Sequence, residues 1–231
     1  MAINKAYRFH SMVFTGTQFG GTKILGGVSQ GSVSNNPEVV QEFVDGNPFP
    51  SLTSIRSYSQ DATFTTSNVD TAIELMGLTV SCLEAASKVE LYYANVSECQ
   101  AGPAAGSVHR RIVMTNATAV GAQMVFQGIS TDHRGDASYS FQIIPKFDGT
   151  NAPIVIEKDV ALPTGTIDNR KRFTLGPLTV GGNLIEGKKA VNIDGGISID
   201  RDSADSAPYD ELLTLSQAAQ KVTVNGLMDT W

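Results

Sequence analysis

The sequence predicts a mainly β fold, an antiparallel β-sandwich or barrel with two short peripheral helices, and three observations lead to this class. Val, Ile and Thr are abundant and 22 glycines divide the chain, a composition typical of many strands joined by tight turns. Several segments alternate apolar and polar residues, which places one side of each strand against a core. Strands with one polar side are typical of antiparallel sheets.

The alternation is clearest in four segments. In residues 57–66, Tyr58, Ala62 and Phe64 share one side and Ser and Thr residues share the other. The same pattern occurs in residues 88–93, 138–143 and 191–200. Further strands are predicted near residues 23–34, 39–45, 109–116, 122–129, 153–157, 171–180 and 221–225.

The first predicted helix follows the strand that ends near residue 66. Ser67 or Asn68 can cap it and Gly77 can end it, because hydroxyl and amide side chains accept from the first helical N–H groups and glycine tolerates the left-handed cap. Its apolar face is predicted from the spacing of Val69, Ile73 and Met76.

The second predicted helix begins near the end of the chain. Ser206 can cap it and Pro208 suits its first turn. Leu212, Leu215 and Ala219 then form an apolar stripe at helical spacing.

The chain is predicted to be one domain, residues 1–231, because no stretch is long or polar enough for a linker. Residues 1–12 approximately are expected to form an N-terminal arm. Residues 28–54 approximately are expected to form a hairpin or loop that contacts another subunit.

Composition and charge exclude several classes. With 41% hydrophobic and 17% charged residues the chain is globular, and the net charge of −6 has the wrong sign for tight binding of nucleic acid. The N-terminus has no secretory apolar region and no stretch approaches about 20 apolar residues. A soluble protein made in the cytoplasm is therefore expected, with no membrane partner and with both cysteines reduced.

No motif for catalysis stands out. The segment from Gly182 to Lys189 has the glycine and lysine spacing of a phosphate-binding loop, but Lys189 occupies the position of the magnesium-binding Ser or Thr and a strand pattern follows. A hairpin turn is the better interpretation. The three histidines lie in separate segments. The sequence therefore predicts no catalytic residue, no metal site and no cofactor, and a chain that is not an enzyme.

The order of elements from Val28 to Gly77 is suggestive of a known family. A polar hairpin leads through a Pro-rich loop to a long Ser/Thr strand and then to a short helix. This order resembles the first half of a major tail tube protein of a long-tailed bacteriophage. The remainder, with Gly- and Thr-rich strands and few charges, is similar in style.

The resemblance implies a structural virion protein with a tail-tube-like sandwich. Such subunits join into hexameric rings, and the rings stack into a tube that delivers the phage genome. It implies that the partners are copies of the chain itself, other tail proteins such as tape measure and terminator, and phage DNA that passes without specific binding. It places the protein in the virion, after synthesis in the host cytoplasm. An acidic chain could line the channel with carboxylates that repel phosphate.

Contacts between subunits are expected at edge strands and at apolar surface positions. The Pro-rich loop is apolar for a surface connection, and aromatic residues near both termini are further candidates. The candidate contact residues are Tyr7, Phe9, Phe43, Pro48, Phe49, Pro50 and Trp231.

Alternative functions remain open at this point. A capsid decoration or tail terminator protein would have the same composition but would form a closed oligomer. A non-catalytic β-sandwich module for binding or adhesion is an alternative from another class, although such modules usually present aromatic platforms and the only Trp is the last residue.

Overall fold

A computed structural model describes residues 6–45, 48–84, 86–96, 102–114, 121–132, 135, 137–165, 173–203 and 207–226. Most of these residues lie in antiparallel strands. The mainly β class predicted from the alternation is therefore confirmed.

Five strands form the first sheet, in the order β10, β7, β6, β1, β2. The central strand β6 pairs with β1 on one side and with β7 on the other, and a short 3₁₀ turn, Thr17–Phe19, joins β1 to β2. The strands are β1 (Ala6–Gly16), β2 (Gly21–Leu25), β6 (Lys88–Val96), β7 (His109–Val113) and β10 (Val155–Val160).

Seven strands form the second sheet, with the order β16, β13, β8, β9, β4, β3 and with β5 beside β8. All of the pairings are antiparallel. The strands are β3 (Val28–Glu42), β4 (Leu52–Thr66), β5 (Val80–Cys82), β8 (Gln123–Asp132), β9 (Ser138–Ile144), β13 (Lys188–Asp194) and β16 (Lys221–Gly226).

Four shorter strands form two additional hairpins. These strands are β11 (Leu178–Val180), β12 (Asn183–Ile185), β14 (Ile197–Asp202) and β15 (Leu212–Ala218), which pair as β11 with β12 and as β14 with β15. Gly181 and Gly182 join β11 to β12 at φ of 58° and 84°, a conformation that suits glycine in a two-residue turn. The segment from Gly182 to Lys189 thus begins in a hairpin turn, as its sequence predicts, and continues through β12 to the start of β13.

Residues 191–200 do not form one strand. Gly195 and Gly196 separate β13 from β14. Glycine is required at both positions because neighbouring backbone leaves no space for a side chain. A Cβ atom on Gly195 would lie 2.3 Å from the carbonyl oxygen of Phe126, and one on Gly196 would lie 2.0 Å from that of Ala219. The two strands pair with β16 and β15, so the chain forms one long antiparallel ribbon that is interrupted at the glycines.

The core lies between the two sheets. The five-stranded sheet contributes Met12, Phe14 and Leu91, all fully buried. The seven-stranded sheet contributes large aromatic side chains, whose rings pack with centroids 5.3–6.0 Å apart; these are Phe64, Phe126, Tyr139 and Phe141. One continuous core joins both sheets, which is the arrangement of a β-sandwich.

The helix α1 (Val69–Met76) lies against this core. It ends at Gly77 as predicted, but the Asn68 side chain makes no cap hydrogen bond. The backbone N–H of Asn68 instead donates to Thr66 Oγ1, at 3.0 Å. The predicted apolar face was wrong at Ile73, which is 38% exposed, whereas Val69, Ala72 and Met76 are buried.

The second predicted helix was wrong. Leu212–Ala218 is the strand β15, and the predicted cap Ser206 lies outside the described residues. Leu212 and Leu215 are exposed, so no apolar stripe faces the core. The segment is extended because β14, the preceding strand, supplies a partner along its whole length, and such strand pairing overrides local helical spacing.

The N-terminal arm predicted for residues 1–12 was wrong from Ala6 onward, and residues 1–5 lie outside the described part. Ala6–Gly16 is strand β1, which lies between β6 and β2. The strand expected at residues 39–45 ends at Glu42, where it is the last part of β3. Of the strand expected at residues 171–180 only Leu178–Val180 forms, with residues 171 and 172 outside the described part.

Candidate assembly interface

A long two-stranded ribbon, β3 with β4, extends from the sandwich. The two strands pair from Val28 with Thr66 to Glu42 with Leu52. On its other side β4 pairs with β9 only over Ala62–Thr66. The distal part of the ribbon is therefore a two-stranded extension of the seven-stranded sheet, and a hairpin of this kind is marginally stable by itself.

The direction of the ribbon changes at Arg56. The register shifts there, so that Glu38 pairs with Ser57 and Val39 pairs with Ile55. Such a β-bulge bends and twists a ribbon. We call residues 39–55, of which 46 and 47 are outside the described part, the ribbon tip.

The ribbon tip exposes apolar side chains on both of its faces. Val39 and Ile55 are cross-strand partners on one face, 48% and 52% exposed. Val40 and Leu52 lie on the opposite face and are also exposed. Apolar residues on both faces of a protruding ribbon are typical of a segment that another surface covers.

The turn of the tip contains four of the residues predicted to contact other subunits. Phe43 is 58% exposed and Phe49 is 72% exposed. Pro48 and Pro50 are exposed beside them. The turn is closed by a hydrogen bond from the backbone N–H of Ser51 to the carbonyl oxygen of Glu42, at 2.7 Å.

The base of the ribbon is held by the loop that follows β14. The backbone N–H of Tyr58 donates to the carbonyl oxygen of Pro208 at 2.8 Å. The rings of Tyr58 and Tyr209 lie 5.9 Å apart, and that of Phe147 lies 5.4 Å from Tyr209. The ribbon is therefore fixed where it leaves the sandwich.

A polar cluster reinforces the base. Arg201 Nη2 donates to Asp61 Oδ2 at 3.0 Å, and Arg201 Nη1 donates to Ser59 Oγ at 3.1 Å. Ser59 Oγ donates in turn to Asp210 Oδ2 at 2.7 Å. Arg201, Asp61 and Asp210 are largely buried, so these charge-assisted bonds fix β14 against β4.

Both edges of the seven-stranded sheet are open along the described strands. One edge is β3, where residues 28–36 contain no charged residue. The other edge is β16, which has six residues, a single charge at Lys221 and no proline. Val222 in this strand is 59% exposed. Edges with uncharged runs such as residues 28–36 are uncommon in proteins that stay monomeric.

Two of the predicted contact residues pack within their own chain. The ring of Tyr7 lies beneath the guanidinium of Arg110, at 4.7 Å. The ring of Phe9 makes an edge-to-face contact with Tyr93 at 5.7 Å and packs against the core. Trp231 lies outside the described residues.

The strand β16 was predicted from the sequence, but its position at an edge was not. The absence of charge in residues 222–226 was the available signal. A strand with alternating Val and Thr and one charge at its start suits an edge that another strand completes.

The described residues give no sign of a metal site or of a membrane-spanning helix. No group of three His, Cys, Asp or Glu side chains is placed there to hold a metal ion. No helix in this part of the chain is long and apolar enough to cross a membrane.

Two comparisons with known proteins gave no match. No family model matches the sequence, and no curated protein is significantly similar to it.

Proposed function

We propose that this chain is a structural subunit that assembles with copies of itself, and specifically a tail tube subunit of a long-tailed bacteriophage. In this proposal six copies form a ring, rings stack into a tube, and the phage genome passes through the channel. The function is structural, without catalysis or a cofactor.

The observation that supports this proposal best is the pair of open edges on one sheet. The edges β3 and β16 lie at opposite sides of the same sheet, so β3 of one copy can pair with β16 of the next. Such a contact uses two different surfaces, and heterologous contacts of this kind form a ring when the rotation between neighbouring copies closes. The seven-stranded sheets would then continue from subunit to subunit.

The ribbon tip supports the second contact that a tube needs. It protrudes from the sheet and exposes apolar side chains on both faces. A tip that reaches the next ring would be covered there on both sides. In the proposed virion, a terminator protein would cover the ribbon tips left free at the tube end, and a tape measure protein would meet the channel wall.

Electron microscopy of the purified protein in negative stain, over a range of concentrations, tests the proposal. The expected result is rings that stack into long tubes with a central channel. Closed oligomers that never extend would instead favour a decoration or terminator protein. Monomers at every concentration would overturn self-assembly and favour a binding module.

A further inference from the structure

One face of the seven-stranded sheet is polar but almost without charge. Directly paired residues in an antiparallel sheet lie on the same face, so the register identifies the members of this face. Ser32 pairs with Thr63 and Thr63 with Gln142, while Ser138 pairs with Ser130 and Ser130 with Asn192. We call it the polar face; its uncharged polar residues include Gln30, Ser32, Thr63, Thr65, Ser130, Ser138, Ser140, Gln142, Asn192, Thr223 and Asn225.

These side chains bond to one another across the strands. Thr65 and Ser140 share a hydrogen bond between their hydroxyl groups at 3.0 Å. Ser130 Oγ donates to Asn192 Oδ1 at 2.9 Å. Close to them Gly128 carries no side chain, and a groove of about 390 Å³ lies there. The polar face is thus a hydrated surface of hydroxyl and amide groups.

A few charged side chains also belong to this face, and most of them are compensated. Asp61 is bonded to Arg201 at 3.0 Å. Asp194 is the cross-strand partner of Lys221 and accepts from the backbone N–H of Gly196 at 3.0 Å. Asp132 lies at the end of β8. The net charge of −6 is therefore located mostly elsewhere on the chain.

The edges indicate which face would be turned toward a channel. When two-layered subunits close into a ring, the sheet nearer the axis spans a smaller circumference. Copies of that sheet can therefore meet edge to edge, whereas copies of the outer sheet are separated by gaps. The seven-stranded sheet has the fifteen-residue edge β3, whose first nine residues are uncharged, and the edge β16, whose only charge is its first residue. The five-stranded sheet has the five-residue edge β2, with Lys23 at its centre, and the edge β10, with three consecutive charges, and such edges disfavour pairing. The seven-stranded sheet would thus be the inner layer, and its polar face would point away from the core into the channel.

The width of the sheet agrees with such a channel. Six strands spaced by about 4.8 Å make a layer about 29 Å wide. Six copies would close a circle about 170 Å in circumference and about 55 Å across, measured between backbones. After side chains are subtracted, a double helix can still pass.

We propose that the polar face lines the channel and is the surface that duplex DNA passes. This inference rests on the proposed function and adds the chemistry of the surface. Proteins hold DNA mainly by neutralising phosphates with Lys and Arg, which releases counterions. A face of Ser, Thr, Asn and Gln releases none, and water replaces each of its hydrogen bonds to phosphate. DNA slides here because the surface is neutral, rather than because carboxylates repel it.

A matched pair of cysteine variants tests the orientation of the face. Thr63 is exposed on the polar face, and Thr22 is exposed on the side of the five-stranded sheet that carries Val13. Thr63→Cys and Thr22→Cys are made in a chain with Cys82→Ser and Cys99→Ser and are assembled into tubes. The tubes then react with a small maleimide or with a maleimide on a polymer too large for the channel.

The expected result is that the small reagent labels both variants and the large reagent labels Thr22→Cys alone. Labelling of Thr63→Cys by the large reagent at the same rate would overturn the inference while the tubes themselves preserve the proposed function. Protection of Thr63→Cys from both reagents would place the face in a subunit contact and would also overturn it. Absence of tubes would instead refute the proposed function on which the inference rests.

The same two positions test the role of neutrality. Tubes with Thr63→Lys are expected to retain short duplex DNA protected from nuclease, and raised salt is expected to release it. Tubes of the unchanged sequence are expected to retain none. Thr22→Lys is the control, since any DNA that it binds remains digestible. If tubes of the unchanged sequence retain as much protected DNA as Thr63→Lys tubes, a neutral channel wall is not what lets DNA pass.

Discussion

The two sheets of this sandwich differ most at their edges. The five-stranded sheet ends at β2, which has five residues, and at β10, which carries Glu157, Lys158 and Asp159 within six residues and has a register shift before Val160. The seven-stranded sheet ends at β3, whose first nine residues are uncharged, and at β16, which has six residues and a single charge at Lys221. Charged and irregular edges disfavour pairing between molecules, and long neutral ones permit it. The edge β3 is therefore the least protected of the four, and under the proposed function the seven-stranded sheet is the one that joins subunits.

The protected edge is also held by a charge network in the five-stranded sheet. Arg111 in β7 donates to Glu90 in β6 at 3.1 Å and also bonds Glu157 in β10. Glu90 is buried, with 8% of its side chain exposed. The hydroxyl of Tyr92 accepts from Arg111 at 3.2 Å. The network thus ties the edge strand β10 to the centre of its sheet.

Breaking this network gives the largest expected effect on the stability of the subunit. Arg111→Leu leaves Glu90 buried without its cation, which we expect to lower the free energy of unfolding by about 3 kcal/mol. The neighbouring Arg110→Leu is the control, because it removes only an exposed contact with the Tyr7 ring and should cost less than about 1 kcal/mol. Urea denaturation of the monomeric fraction measures both. Equal losses would show that the buried network does not hold this edge.

Placing a charge on the open edge gives the largest expected effect on assembly. Val222 on β16 and Ile156 on β10 are similarly exposed, at 59% and 61%. Val222→Lys is expected to raise the concentration needed for assembly at least about tenfold, because a charge would be desolvated at each joint. Ile156→Lys should leave that concentration unchanged.

Light scattering against protein concentration measures this difference, and electron microscopy identifies the species. If both variants assemble like the unchanged chain, the edge β16 is not a contact. If Ile156→Lys alone prevents assembly, the roles assigned to the two sheets are reversed.

Removing the aromatic residues of the ribbon tip should affect assembly but not folding. Phe49→Ser and Phe43→Ser remove side chains that are mostly exposed in the monomer, so each should change the free energy of unfolding by less than about 0.5 kcal/mol. If another copy covers the tip, each should weaken assembly by about tenfold. Rings that form but do not stack would assign the tip to contacts between rings. A loss of folding stability comparable with Arg111→Leu would show that these side chains serve their own core.

The strands could be predicted from the sequence where one face is buried and the other is polar. Val89 and Leu91 are buried in β6, and Phe141 and Ile143 are buried in β9, so alternation alone located both. The segment from Leu212 could not be assigned this way, since Leu212, Leu215 and Ala219 fit a helix. In the strand, Leu212 and Leu215 are exposed, so no alternation of buried and polar residues marks it.

The candidate interface was predictable only in part, for a related reason. The exposure of Phe43 and Phe49 could be expected, because a Pro-rich loop leaves backbone groups without partners and therefore lies at the surface with its side chains. Tyr7 and Phe9 could not be separated from them, because their packing depends on Arg110 and Tyr93 from other strands. Whether β16 is an edge depends on the order of six strands, and no local pattern encodes that order.

The smallest expected effect concerns pH and again separates the two sheets. His10 in β1 lies in the five-stranded sheet, and burial, followed by the nearby His109, lowers its pKa below the ordinary value of 6.5. The unfolded chain therefore binds this proton more readily than the folded chain. The free energy of unfolding should fall as the pH decreases through 6.5 and level off below the folded pKa.

His10→Gln, which keeps a polar partner for Ser11, should reduce this dependence. Urea midpoints at about pH 8 and about pH 5 measure it, and an unchanged slope in His10→Gln would assign the dependence to other groups. Thr63→Gln on the polar face is the control, because it introduces the same residue in the seven-stranded sheet without removing a titratable group. It should leave the pH dependence of the free energy of unfolding unchanged.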